Sequence, residues 1–175
     1  HGLQARMPNL TILDNGQNLG IMATINRGLT LVEEDYVFLV SANDHFEPRA
    51  LELAKQALTG NPEPVGLIGG NARLVEEASG ITTVRTAPLP PIPARYDAAY
   101  YRRLLRRQHF SFFGGSAFVH RQFTLEAGGF VPSMKWHSDW FLFALLCSRH
   151  GFAYVPEVIG TMSVSSRQYS AAIHD

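Results

Sequence analysis

"DYVFLVSANDHFEP" (residues 35–48) decides the fold class. Val37, Phe38, Leu39 and Val40 form an unbroken apolar run, the pattern of a strand covered on both faces. The run passes directly into Ser41-Ala42-Asn43-Asp44 and His45. A buried strand ending in a small polar cluster is where open α/β sheets place ligands. Pro48 then opens a helical stretch, "EPRALELAKQALTGNPE", with Gly60 near its end. The turn itself has two readings: a ligand site around Asp44, or an Asx-type turn that caps the following helix.

On the N-terminal side, "NLTILDN" (9–15) alternates and meets Asn15-Gly16, which predicts a strand ending in a turn. Ile21, Met22, Ile25, Leu29 and Val32 fall at helical spacing, predicting a helix from about 21 to 32. On the C-terminal side "PVGLIGGNARLV" reads as another strand. Strand, helix, strand, helix, strand is the rhythm of a parallel sheet with helices packed over it. Pro88, Pro90, Pro91 and Pro93 then break the pattern into an extended excursion. "AAYYRRLLRRQ" reads as a helix. "FSFFGGSAFVHRQFTLEAGGF" reads as a strand carrying Gly114-Gly115, a turn at His120-Arg121 and a short helix ending at Gly128-Gly129. "SDWFLFALLCSRHGF" is a helix with Ser138 as its cap and Gly151 as its stop, and "AYVPEVIGTMSV" a last strand.

The 175 residues suit one domain, 1–175, with a real core. Hydrophobic residues make up 46% and charged residues 17%, and Lys plus Arg balances Asp plus Glu at 15 each. No global basic field therefore argues for nucleic acid. Cys147 stands alone, which excludes an internal disulfide and suits a reducing compartment. No run approaches the roughly 20 apolar residues of a spanning helix. The start carries no signal-peptide pattern and opens on His1-Gly2, which reads as a fragment or excised domain.

Four stretches in order resemble glycosyltransferase family 2, the inverting GT-A-type enzymes that use nucleotide-sugars. "NLGIMATINRGL" is similar to the family's N-x-G helix start. "DYVFLVSANDHFEPRALE" is similar to its strand, aspartate-rich turn and Pro-led helix. "FFGGSAFVHRQFTLEAGGF" is similar to its strand ending in G-G-F, and "SDWFLFALLCSRHGFAYVPE" to its acidic helix followed by V-P-E. The matches span about residues 9–170. The resemblance implies a GT-A-like (Rossmann-like), mostly parallel sheet flanked by helices. It also implies a truncated domain, beginning near the family's second or third strand, after the strand that binds the nucleotide base. The Q-x-x-R-W motif of processive polymer synthases is not supplied by Ser166-Arg167-Gln168-Tyr169, so single-sugar transfer is expected.

The implied reaction is transfer of one sugar from a nucleoside-diphosphate sugar to an acceptor hydroxyl, in cell-surface glycan assembly, with a glycan or lipid-linked acceptor. Asp139 falls on the family's catalytic base; read from the residues alone, it equally supports a helix start, where free N–H groups would keep it ionised. Asn18, Gly20, Asn26, Ser41, Asn43 and Asp44 are expected to face the donor, although Asn-x-Gly is common turn chemistry as well. The family's turn binds a divalent cation through carboxylates. Here its two acidic positions fall on Ser41 and Asn43, leaving Asn43 and Asp44 as candidate ligands for Mg²⁺ or Mn²⁺, and a third family ligand falls near Ser165. Gly114 and Gly115 either admit a ligand close to the backbone or mark a bulge. Trp136 and Trp140, flanking Asp139, are candidates for stacking on an acceptor sugar, Trp140 equally for the core.

Arg102, Arg103, Arg106 and Arg107 form one basic helix face, either merely solvated or in contact with anionic lipid or a diphosphate-linked acceptor. The expected place is the cytoplasm, with peripheral contact at the inner face of the membrane. His45, His109, His120, His137 and His150 show no zinc-ligand spacing. The rival to a transferase is a degenerate or truncated relative that binds a sugar, nucleotide or partner without transfer. A nucleotidyltransferase on a similar sheet is a third class.

Overall fold

The computed structural model describes residues 6, 7 and 9–165. Among these, seven strands form one sheet: β1 (Tyr36–Phe38), β2 (His45–Phe46), β3 (Leu67–Glu76), β4 (Thr82–Arg85), β5 (Ala94–Tyr96), β6 (Ala117–His120) and β7 (Phe152–Val164). Helices α1 (Ile21–Leu31), α2 (Ala50–Leu58), α3 (Ala98–Leu105), α4 (Arg121–Glu126) and α5 (Ser138–His150) flank it. Short 3-10 turns occupy Gly114–Ser116 and Pro132–His137. The stretch Ser166–Tyr169 lies outside the described residues.

The sheet order is β1-β6-β3-β7-β2, with β4 also on β3 and β5 also on β7. The fold is mixed α/β, as the alternation of elements predicts, but the expectation of a mostly parallel sheet is corrected. Among the described residues β3–β7 is the one parallel pairing, and the other five are antiparallel. The chain returns by turns where a parallel sheet needs crossovers. β3 folds back through Gly80 (φ +70) into β4, and an antiparallel pair needs only such a tight turn. β6 enters between β1 and β3 and runs opposite to both.

The core lies on both sheet faces because successive strand residues point to opposite sides. Leu67, Val119, Phe152 and Tyr154 pack with Leu29 of α1, Tyr101 of α3 and Leu142, Phe143 and Leu146 of α5. Their neighbours Ile68, Phe118, Ala153 and Val155 pack on the opposite face with Ala50, Leu53 and Ala54 of α2. Gly66 and Gly69 let these layers close. A Cβ on Gly66 would lie 2.6 Å from the Leu146 carbonyl oxygen, and one on Gly69 would run into the Phe112 ring.

Several local expectations change. Residues 9–15 are not a strand; no neighbouring strand pairs with them, and Ile12 and Leu13 are exposed. Asp14 instead folds back to accept from the Gly16 N–H at 2.7 Å. β1 stops at Phe38, with Val40 exposed, so the four-residue apolar run is only partly covered. The proline-rich excursion joins two short strands, β4 and β5. Gly114 and Gly115 precede β6 in a 3-10 turn, outside the strand. Ser138 is the first residue of α5 and makes no cap; its hydroxyl accepts from the Val131 N–H at 2.6 Å. No helix among the described residues is long and apolar enough to cross a membrane.

Candidate functional site

The polar turn after β1 is shaped locally and then fixed by a distant strand. Asp44 donates its N–H to the Ser41 carbonyl at 3.0 Å, closing the turn that Asn and Asp favour. Its Oδ1 accepts from the Ser163 N–H of β7 at 2.9 Å, and Ser163 Oγ donates to the Asn43 carbonyl at 2.9 Å. Just beyond, the Glu47 carboxylate accepts from Arg73 of β3 and from Thr161 Oγ1 of β7. Ser41 and Asn43 stay exposed at the tip, while Asp44 is half-buried. Sequence reasoning did not identify Ser163, Thr161, Glu47 or Arg73, because their partners lie far along the chain.

Asp139 stands in the first turn of α5. Its Oδ1 accepts from the Trp140 N–H at 2.8 Å. The helix start was expected to keep the carboxyl ionised, but burial is the larger effect and pushes its pKa above the usual carboxylate value. The N–H groups of Trp140 and Asp139 and the charge of His137 oppose that shift and only reduce it. A carboxylate of raised proton affinity is a stronger base.

The Gly114-Gly115 turn lies near the two acids. An added Cβ on Gly114 would lie 3.0 Å from Asp139 Oδ2, and one on Gly115 3.9 Å from Asp44 Oδ2. Adjacent Cα atoms being about 3.8 Å apart, these distances place the two carboxylates within about 14 Å of each other. Asp139 thus lies against Gly114 and Asp44 near Gly115. The same Cβ on Gly115 would meet Met162 of β7 at 2.8 Å, so the turn is also braced from below.

Next to Asp139 a cleft of about 640 Å³ is lined by Met134, Lys135, Trp136, His137, Trp140 and Phe141. Trp136 stacks on His137 with ring centres 3.5 Å apart and meets Trp140 edge-on at 5.4 Å. Trp140 is 45% exposed, so of its two expected roles the core is excluded. Lys135 adopts φ +49, the one non-glycine residue with positive φ among those described. Such strain persists only where surrounding structure enforces it, and it concentrates at binding sites.

The start of α1 is organised separately. Asn18 Oδ1 accepts from the Gly20 N–H at 2.9 Å, and Gly20, at φ +79, begins the helix. Asn26 lies further on and clamps a loop: its amide donates to the Phe130 carbonyl and its oxygen accepts from the Phe130 N–H, both at 2.8 Å. Both ends of the carboxamide are therefore engaged with main chain. Asn26→Ala leaves the nearly buried Phe130 N–H without its partner and is expected to cost about 1–3 kcal/mol in denaturant unfolding. A loss below about 0.5 kcal/mol, the range of an ordinary surface change, would contradict the clamp.

A family-type metal fits this donor set poorly. Hard dications take carboxylate oxygens, commonly one or two together with substrate phosphate. The turn offers one carboxylate, Asp44, with Oδ1 already accepting from Ser163, and the Asn43 main-chain carbonyl already accepts from Ser163 Oγ. Among the described residues no group of three or more His, Cys, Asp or Glu side chains could hold a metal ion. No protein-family model matches the chain, and no curated protein matches it.

Proposed function

We propose that the chain is an inverting glycosyltransferase domain of GT-A type, similar to family 2, which transfers one sugar from a nucleoside-diphosphate sugar. The observation that carries this is the placement of Asp44 and Asp139, 95 positions apart in sequence, beside adjacent glycines of one turn. The order of motifs and the polar turn that follows β1 support it further. The Asp139 carboxylate takes the proton of an acceptor hydroxyl held in the Trp136–Trp140 cleft. The freed oxygen attacks the anomeric carbon from the side opposite the diphosphate. The new C–O bond forms as the bond to the diphosphate oxygen breaks, the bonding pair leaves with the diphosphate, and configuration inverts. Ser41 and Asn43, exposed at the tip, supply uncharged donors to the departing phosphates.

A second reading is a relative that binds a nucleotide or sugar without transferring it. It is favoured by the lone carboxylate of the turn, half of which is already engaged by Ser163. Calorimetric titration with a panel of nucleoside diphosphates, with Mn²⁺ or with a chelator, tests donor binding. Binding of at least one diphosphate, with affinity unchanged by Mn²⁺, is expected. Binding that requires Mn²⁺ would contradict the metal-poor donor set, and binding of none would contradict the proposed donor site.

A further inference from the structure

We infer that the α3–α5 surface docks on an anionic phospholipid bilayer. No acidic residue occurs between Asp97 and Glu126, whereas Arg102, Arg103, Arg106 and Arg107 all fall in that interval. Arg102 and Arg103 lie on α3, whereas Arg106 and Arg107 fall in the turn just past its end, so the expected single helix face is a helix end and turn. All four are exposed and Tyr101 of α3 is buried, so the charge faces outward. Arg102 donates to the Ser148 carbonyl near the end of α5, which brings the neighbouring, exposed Arg149 into the same patch. Ion pairs among the described residues are confined to Arg49–Glu52 and Arg73–Glu47, so no carboxylate pairs with any of these five arginines. The chain is formally neutral overall; this is a local excess that the rest of the molecule balances elsewhere.

Charge alone would suit any polyanion, but the patch adjoins exposed apolar groups. Leu105 is 37% exposed within the arginine cluster, and Phe141 is 42% exposed at the start of α5. Phe141, Leu145, Ser148 and Arg149 fall at helical spacing on one side of α5. The helix therefore runs from an aromatic end at Trp140 and Phe141 to a cationic end at Arg149. Apolar side chains entering the headgroup boundary, with arginines over lipid phosphates, is the arrangement of a surface that lies on a membrane. Nucleic acid would be met by several exposed base-stacking aromatics within the cationic groove. Among the arginines there is one part-buried ring, Tyr100, already covered by the Arg103 guanidinium at 5.9 Å, and the exposed Trp140 and Phe141 lie at the other end of α5. The inference is independent of the transfer chemistry. It has one consequence for that chemistry, since Asp139 and its cleft sit at the aromatic end and would open at the lipid surface.

The test is flotation with vesicles of phosphatidylcholine alone and of about two parts phosphatidylcholine to one part phosphatidylglycerol. Binding to the mixed vesicles only, weakening with salt, is expected. The triple substitution Arg103→Gln, Arg106→Gln and Arg107→Gln leaves the Arg102 contact intact and should weaken binding about a hundredfold. Phe141→Ser should weaken it as well. Arg49→Gln with Lys55→Gln, at α2 on the opposite sheet face, should leave it unchanged. No binding to mixed vesicles, equal binding to both compositions, or equal losses in the triple and the α2 variants would overturn the inference. So would binding of a single-stranded RNA that depends on the same arginines without vesicle binding.

Discussion

Asp139→Asn is expected to lower the transfer rate by about 10²–10⁴-fold and to raise the unfolding temperature. The two effects share one cause. Burial pushes the Asp139 pKa up from its usual value, so the folded state binds its proton more tightly than the unfolded state does. The contribution of such a group is fully present below the unfolded pKa and is lost as pH rises through the folded one. At neutral pH the ionised carboxylate therefore costs stability, and the isosteric amide removes that cost. If Asp139 served only to start α5, losing its charge beside the free N–H groups would lower stability, and the temperature would fall. The wild-type rate should also decline as pH falls through the raised pKa, because only the ionised form accepts the proton.

Gly160→Ala is the second large effect. A Cβ at this position of β7 would overlap the main-chain carbonyl oxygen of Gly115. Neither partner can turn away as a flexible side chain does, so the Gly114-Gly115 turn must shift. Overpacking of this kind costs about 1–3 kcal/mol or more, and a displacement of about 1 Å at a reacting site can cost about 10²-fold in rate. Both a fall in stability and a loss of turnover are expected, read by thermal unfolding and transfer assay. Gly80→Ala is the control: it has open space around it and φ +70. It should lose about 1–2 kcal/mol from the left-handed backbone and keep its turnover. Full activity in Gly160→Ala would contradict the placement of the turn.

The helices were largely legible because each carries its own apolar stripe and stop. Ile21–Leu31 and Ser138–His150 follow directly from spacing and from Gly151 at φ +70. Strand direction was not legible. "NLTILDN" alternates as a strand should, yet alternation records only that one face could be buried, and no partner strand is there. The parallel expectation failed because the hairpin through Gly80 and the reversed β6 are decided by what each strand meets in space.

The site shows the same division. Asp139 and the Gly114-Gly115 pair could be singled out, but not their contact, which depends on α5 packing back over the turn. Asn26 carried the right residue type for a ligand, and its partner Phe130 lies 104 positions away. Ser163, which holds Asp44, has no local mark at all; its role comes from β7 passing beside the turn.

The most direct measurement is release of nucleoside diphosphate from a panel of nucleotide-sugars by wild type and Asp139→Asn side by side, with acceptor hydroxyl compounds present. The account predicts release from at least one donor by the wild-type chain, reduced about 10²-fold or more in the variant. Undiminished release by Asp139→Asn, or no release from any donor by a wild-type chain that binds the diphosphate, would contradict it.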